Sequence, residues 1–123
     1  MKVVYASKKM EQQCTDLKAA KKLFSGDKSL AMSLLARVNA LIQAETIHDI
    51  IVQKQFHFHN LYNVGRKNYE GYFAIDVKTR REQWRIILEL LDDDEKPFDP
   101  PNIDEISRKV RIVEIVEVSK HYE

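Results

Sequence analysis

Residues 71–91 read GYFAIDVKTRREQWRIILELL, two apolar runs joined by a polar segment, and their reading decides the fold. In the first run Phe73, Ile75 and Val77 alternate with Tyr72, Ala74 and Asp76, the period of a half-buried strand. The second sets Trp84, Ile86, Leu88 and Leu90 against Arg85, Ile87, Glu89 and Leu91. Residues 78–83 between them are too polar to pack, which predicts a β-hairpin even though the turn lacks the Gly or Asn of tight hairpins. If Trp84 and its i+2 partners face the core, Arg85 faces the other way, beside Asp76. There it is either a cation on the open face of a rigid sheet, able to grip a phosphate, or one half of a cross-strand pair with Asp76 or Glu89.

A chain of 123 residues fits one domain, spanning 1–123, with a single core. Its 44% hydrophobic and 32% charged content is that of a soluble globular protein and excludes disorder as the default. The net charge of +1 conceals an uneven distribution: Lys and Arg crowd residues 2–28 and 66–85, and acid crowds 92–105. Near neutrality is therefore compatible with a basic face. The single Cys14 excludes an intramolecular disulfide and a multi-cysteine zinc site. No apolar run approaches the roughly 18 to 20 residues of a membrane span, and the basic start is not followed by a hydrophobic segment, so a cytoplasmic protein with no membrane partner is expected.

Outward from the hairpin, 2–6 (KVVYA) reads as a first strand. Ser7 is placed to cap a helix whose Met10, Cys14, Leu17, Ala20 and Phe24 share one face, and Gly26 ends it. Asp27 caps the next, with a stripe of Leu30, Leu34, Leu35, Val38, Leu41 and Ile42; helices joined this tightly form an antiparallel hairpin. Thr46 and Asp49 can cap one short turn through Ile50. The alternation in 56–61 (FHFHNL) reads as the strand before the central hairpin, with His57 and His59 on one side, and 63–70 as a polar loop. All three prolines fall in 92–102, read as a protruding, mobile loop. Residues 103–107 add a turn of helix and 109–119 a last strand. The fold class is α+β, a helical hairpin packed on an antiparallel-rich twisted sheet.

The chain has no GxGxxG, P-loop, HExxH or GxSxG signature. His57 and His59 lack adjacent carboxylate or cysteine partners, so neither metal nor cofactor is expected. RNA cleavage needs neither. The RNA's own 2′-OH is the nucleophile, and an enzyme supplies a base for it, cations for the phosphorane charge and an acid for the leaving oxygen. The strand phases allow His59, Arg66, Lys67, Arg85, His121 and Tyr122 to converge for this. Each has a plainer reading too: His59 as a hydrogen-bonded strand residue, Arg66 and Lys67 as a solvated loop, His121 and Tyr122 as a frayed tail.

The pieces His59-Asn60-Leu61, Arg66-Lys67, 71–75 (GYFAI), Trp84-Arg85-Ile86 and 117–122 (EVSKHY), with the order of elements and the length, resemble the HigB branch of the RelE/ParE toxins. The resemblance implies a RelE-like microbial ribonuclease fold and the toxin of a type II toxin-antitoxin system, a metal-independent mRNA interferase acting with the ribosome. It implies neutralisation by a helix-turn-helix antitoxin of the HigA kind, with operator DNA reached only through that antitoxin. Carried over, His59 matches the histidine of the family's His-x-Leu stretch, Arg85 its Trp-Arg-Ile arginine and His121 its terminal histidine; Arg66 and Lys67 fall in its basic loop. Arg85 with Arg66 or Lys67 would steady the phosphate, His59 or His121 would move protons, and Tyr122 would be a further donor. Lys78, Arg80, Arg81 and Lys120 would touch RNA backbone, a contact that weakens steeply with salt. The chain departs from the family in having Tyr62 where Lys is frequent, Asp76 where a basic residue is common, and Ser119-Lys120-His121-Tyr122 in place of an Asp-Tyr-His ending. Two other readings stand beside this one: a ParE-like toxin acting on DNA gyrase, and an inactive binding module. The 92–105 loop would cover the basic face or seat a basic antitoxin segment.

Overall fold

The computed structural model describes residues 1–61 and 70–120. Among them five strands form one sheet: β1 (Lys2–Tyr5), β2 (His59–Asn60), β3 (Phe73–Asp76), β4 (Trp84–Leu91) and β5 (Ile112–Lys120), in the order β1-β5-β4-β3-β2. Only β1 and β5 run parallel; the other neighbours are antiparallel. The hairpin expected from 71–91 is β3 and β4, with Phe73 opposite Leu88 and Asp76 opposite Arg85. Its turn closes without glycine, because Arg80–Glu82 makes one 3₁₀ turn and Gln83 takes the left-handed conformation, at φ 59°. β4 is central and buried on both faces, which is why WRIILELL is nearly continuously apolar. Its pairing with β5 slips between Ile87 and Leu88, which oppose Glu117 and Ile115, so Val116 is an extra residue in the manner of a β-bulge.

The helices α1 (Lys8–Thr15), α2 (Leu17–Leu23) and α3 (Lys28–Gln43) cover one face of this sheet, with α4 (His48–Ile51) and α5 (Ile103–Ile106) as single turns. The one helix expected over Met10 to Phe24 is two. Asp16 leaves helical geometry at φ −121°, ψ 123°, and its carboxylate accepts the Ala19 N–H at 3.0 Å, capping α2. A side chain that competes for backbone donors breaks the helix, and Leu17 drops out of the expected stripe at 37% exposure. Gly26, at φ 91°, ends α2, and Asp27 accepts the Leu30 N–H at 3.1 Å to start α3. α3 buries Leu30, Ala31, Leu34, Val38 and Leu41 against Phe24, Ile75, Ile86, Leu88 and Ile115; Ile42 is exposed, so the stripe is narrower than predicted.

Two other expectations are corrected. The strand expected over 56–61 shrinks to β2, because Lys54–Phe56 forms a 3₁₀ turn and His57 is left-handed. The loop at 92–102 does not simply protrude. Asp92 accepts the Asp94 and Lys96 N–H groups at 2.9 and 3.0 Å and donates its own to the Lys96 carbonyl, while Leu91 bridges to Pro97 and Phe98 packs on the core. No helix among the described residues is long and apolar enough to cross a membrane.

Replacing Asp27 by Ala removes the α3 cap and is expected to cost about 1 kcal/mol. The melting temperature should fall by on the order of 4 °C, readable by circular dichroism.

Candidate functional site

The sheet's second face, away from the helices, is built from the alternate residues of the central strands. Ala74 and Ile87 form a small apolar cluster there with Leu61, flanked by Tyr72 and Val116. Strand alternation puts Asp76 on the same face as Ala74 and Arg85 on the same face as Ile87, and register sets His59 beside Ala74 and Ser119 beside Arg85. A polar cluster of His57, His59, Asp76 and Arg85 therefore occupies one end of the face.

Its centre is an ion pair. Asp76 is 1% and Arg85 4% exposed, and Arg85 Nε lies 3.1 Å from Asp76 Oδ1. The guanidinium also donates to the carbonyls of Trp84, at 3.0 Å, and Arg80, at 3.3 Å. The expectation of an open cation at Arg85, free to grip a phosphate, is thereby corrected. A buried carboxylate directly across the ladder attracts the guanidinium inward, where loss of water makes the pairing strong and the unpaired alternative costly. Of the two sequence readings, the cross-strand pair with Asp76 is the one realised.

The same Asp76 Oδ1 holds His57 Nδ1 at 3.0 Å. His57 ends the Lys54–Phe56 turn at φ 50°, ψ 52°, a conformation uncommon outside glycine and asparagine. Arg37 on α3 braces this turn: its guanidinium lies 4.6 Å from the Phe56 ring centre and donates to the carbonyls of Gln55, Val77 and Lys78. Burial pulls the Arg37 pKa down and Asp76 opposes the change. His59 Nδ1 approaches the His57 carbonyl at 2.6 Å, and the two imidazoles stack with centres 4.3 Å apart, 26° from parallel. A carbonyl or a carboxylate can only accept, so both Nδ1 atoms carry the proton and, in the neutral rings, both Nε2 atoms hold a lone pair.

The remaining expected residues are scattered. Lys78 donates to Ser29 at the start of α3, at 2.8 Å, and Arg80 and Arg81 are exposed on the turn between β3 and β4. Lys120 lies opposite Trp84 in the ladder, its ammonium 5.6 Å from that ring. Arg66, Lys67, His121 and Tyr122 lie outside the described residues. From the sequence Asp76 enters as a possible partner of Arg85 and His57 only as a metal ligand set aside, and Arg37 is not singled out. The usable signal was a carboxylate set inside the apolar run FAIDV, a position that demands a buried partner. Among the described residues, no three His, Cys, Asp or Glu side chains are grouped to hold a metal ion. A depression of about 500 Å³ beside β2 and β3, lined by Asn60, Leu61, Glu70, Gly71, Tyr72, Phe73 and Pro101, does not include the cluster.

Further along the face Glu89 opposes Glu114 in the ladder. Burial, and then Glu114, raise the Glu89 pKa above its ordinary 4.5, and burial with both carboxylates raises that of Tyr72. Comparison with protein-family models, curated proteins and solved structures finds no match to this chain.

Arg85→Ala leaves a buried carboxylate behind and is expected to cost about 3 to 5 kcal/mol. Substituting Asp76 and Arg85 together by apolar residues of similar volume should cost much less, as urea unfolding would show. Glu89 binds a proton more tightly folded than unfolded, so stability declines as pH rises from about 4.5 through its raised folded value. Glu89→Gln should remove that decline and leave the protein more stable than the parent at pH 7, by a margin that closes near pH 4.

Proposed function

We propose that this chain is a metal-independent endoribonuclease of the HigB branch, with a RelE-like microbial ribonuclease fold, acting on mRNA at the ribosome as the toxin of a type II toxin-antitoxin system. The observation that carries the reading is the hydrogen bond from His59 Nδ1 to the His57 carbonyl, which leaves Nε2 of His59 as the basic nitrogen. A 2′-OH activated by such a base attacks its own phosphorus, so the enzyme need contribute only proton transfer and charge stabilisation. The paired helices on a five-stranded, largely antiparallel sheet, and the resemblance of 59–61, 71–75 and 84–86, support the same reading.

Roles change with Arg85 buried. Arg85 holds Asp76 in place instead of binding phosphate, while Arg80 and Arg81, exposed at the same end of β4, supply positive charge to the RNA backbone. Arg66 and Lys67 on the basic loop, and His121 and Tyr122 next after Lys120, remain the further cations and proton donors that the resemblance suggests. Nε2 of His59 is screened from water, so a nucleotide reaches it only by displacing what covers it. The partner is a helix-turn-helix antitoxin. A second reading, a toxin that acts on DNA gyrase without cleaving RNA, draws support from one observation: the burial of Arg85 removes a cation from the face.

His59→Ala is expected to lower ribosome-dependent mRNA cleavage by on the order of 10² to 10⁴-fold and to abolish growth arrest. Cleavage at the parent rate would remove the proposal; arrest persisting without any mRNA cleavage would favour gyrase. Arg80→Ala with Arg81→Ala should weaken ribosome binding and flatten its dependence on salt, the slope falling by roughly one unit per lost phosphate contact.

A further inference from the structure

We infer that His57, which the reading above leaves without a task, is the positioning residue for His59: its ring, anchored on Asp76, aims its own backbone carbonyl at Nδ1 of His59 and so selects the tautomer that can act as base. The inference rests on His59 being that base. Three observations meet in one residue. The His57 ring is tied to a carboxylate that is itself 1% exposed and paired to Arg85, so the anchor cannot swing. The backbone of His57 is left-handed, at φ 50°, which turns its carbonyl toward the next ring but one in the chain. That carbonyl sits 2.6 Å from Nδ1 of His59, and the rings stack at 4.3 Å, so His59 is held in both orientation and protonation pattern by its neighbour.

An imidazole with no such partner exchanges freely between tautomers. One whose Nδ1 faces a fixed acceptor presents Nε2 as the base at every encounter, the arrangement by which a carboxylate orients a catalytic histidine in hydrolytic triads. Here a peptide carbonyl does that work, and the carboxylate acts one step back, on the residue that owns the carbonyl. A left-handed conformation at a non-glycine residue persists only where its surroundings over-determine it. At His57 those surroundings are Asp76 from β3, Arg85 from β4 and, through Phe56 and the Gln55 carbonyl, Arg37 from α3.

Two substitutions separate the ring from the backbone. Asn tolerates the left-handed region, and its side-chain Nδ2 stands where His Nδ1 stands, so His57→Asn keeps both the donor to Asp76 and the aimed carbonyl. His57→Gly keeps the backbone freedom and loses the anchor. The test is ¹⁵N NMR of the ring nitrogens in histidine-labelled full-length protein, with His59→Gln identifying the His59 signals, alongside ribosome-dependent cleavage. Expected are an Nδ1–H tautomer for His59 in the parent and in His57→Asn, and a mixture or the Nε2–H form in His57→Gly. Cleavage by His57→Gly should fall by on the order of 10²-fold and recover in His57→Asn. A parent protein whose His59 carries its proton on Nε2 overturns the inference with no variant needed, as does a folded His57→Gly with the parent's tautomer and rate. A parent that cleaves no RNA while the His59 tautomer still follows residue 57 sinks the ribonuclease reading and leaves the positioning role standing.

Discussion

A carboxylate and a guanidinium, shut between the two central strands and almost wholly removed from water, set the terms for the second face of the sheet. Asp76 and Arg85 sit directly opposite one another in the β3–β4 ladder, so the register of the hairpin and the ion pair specify each other. A slip of one residue would turn one of the two charges into the helix-covered core and strand the other on the far face without its partner. The pair thus acts against the wrong register as much as for the right one. Asp76 still has capacity to accept, and His57 uses it. The contacts of His57, and through its carbonyl of His59, build on this pair.

On the other side of the sheet the physics is different. Phe24, Leu34, Leu41, Ile75, Ile86, Leu88 and Ile115 make an apolar core whose cohesion is non-directional, and its helices are started by short side-chain caps at Ser7, Asp16 and Asp27. One face therefore holds the fold, while the other carries groups whose positions are set by hydrogen bonds. Arg37 links the two: it belongs to α3, yet its guanidinium is spent on the carbonyls of Gln55, Val77 and Lys78, next to the His57 turn. A rigid element behind and a hydrogen-bonded cluster in front is the arrangement that proton transfer requires of its supporting structure.

The central hairpin and the α3 stripe were legible because burial on one face imposes a period that residues report directly: Phe73, Ile75 and Val77 at steps of two, Leu30, Leu34, Val38 and Leu41 at steps of three and four. The helix caps at Ser7 and Asp27 were legible for a similarly local reason, since the acceptor lies within three residues of the donor it satisfies. The break at Asp16 was hidden, because an apolar face that continues across a kink looks like one helix. The 56–61 segment misled in the other direction: its alternation suggested a strand, and only the anchoring of His57 on Asp76 and of Phe56 under Arg37 forces the turn.

By itself, then, the amino-acid order determined the α+β class, the strand pair at the centre and the side of the sheet to which Arg85 belongs, because these follow from interactions between near neighbours. Whether Arg85 would stand open or meet a carboxylate, and whether His57 would lie in a strand or in a left-handed turn tied to Asp76, was decided by tertiary structure. Those outcomes depend on distances between residues nine apart for Asp76 and Arg85 and nineteen apart for His57 and Asp76, and on how much water the packed face admits. A guanidinium's role is set by the partner nearest to it once solvent is gone, and the strand pattern alone left that choice open between Asp76, Glu89 and an open face.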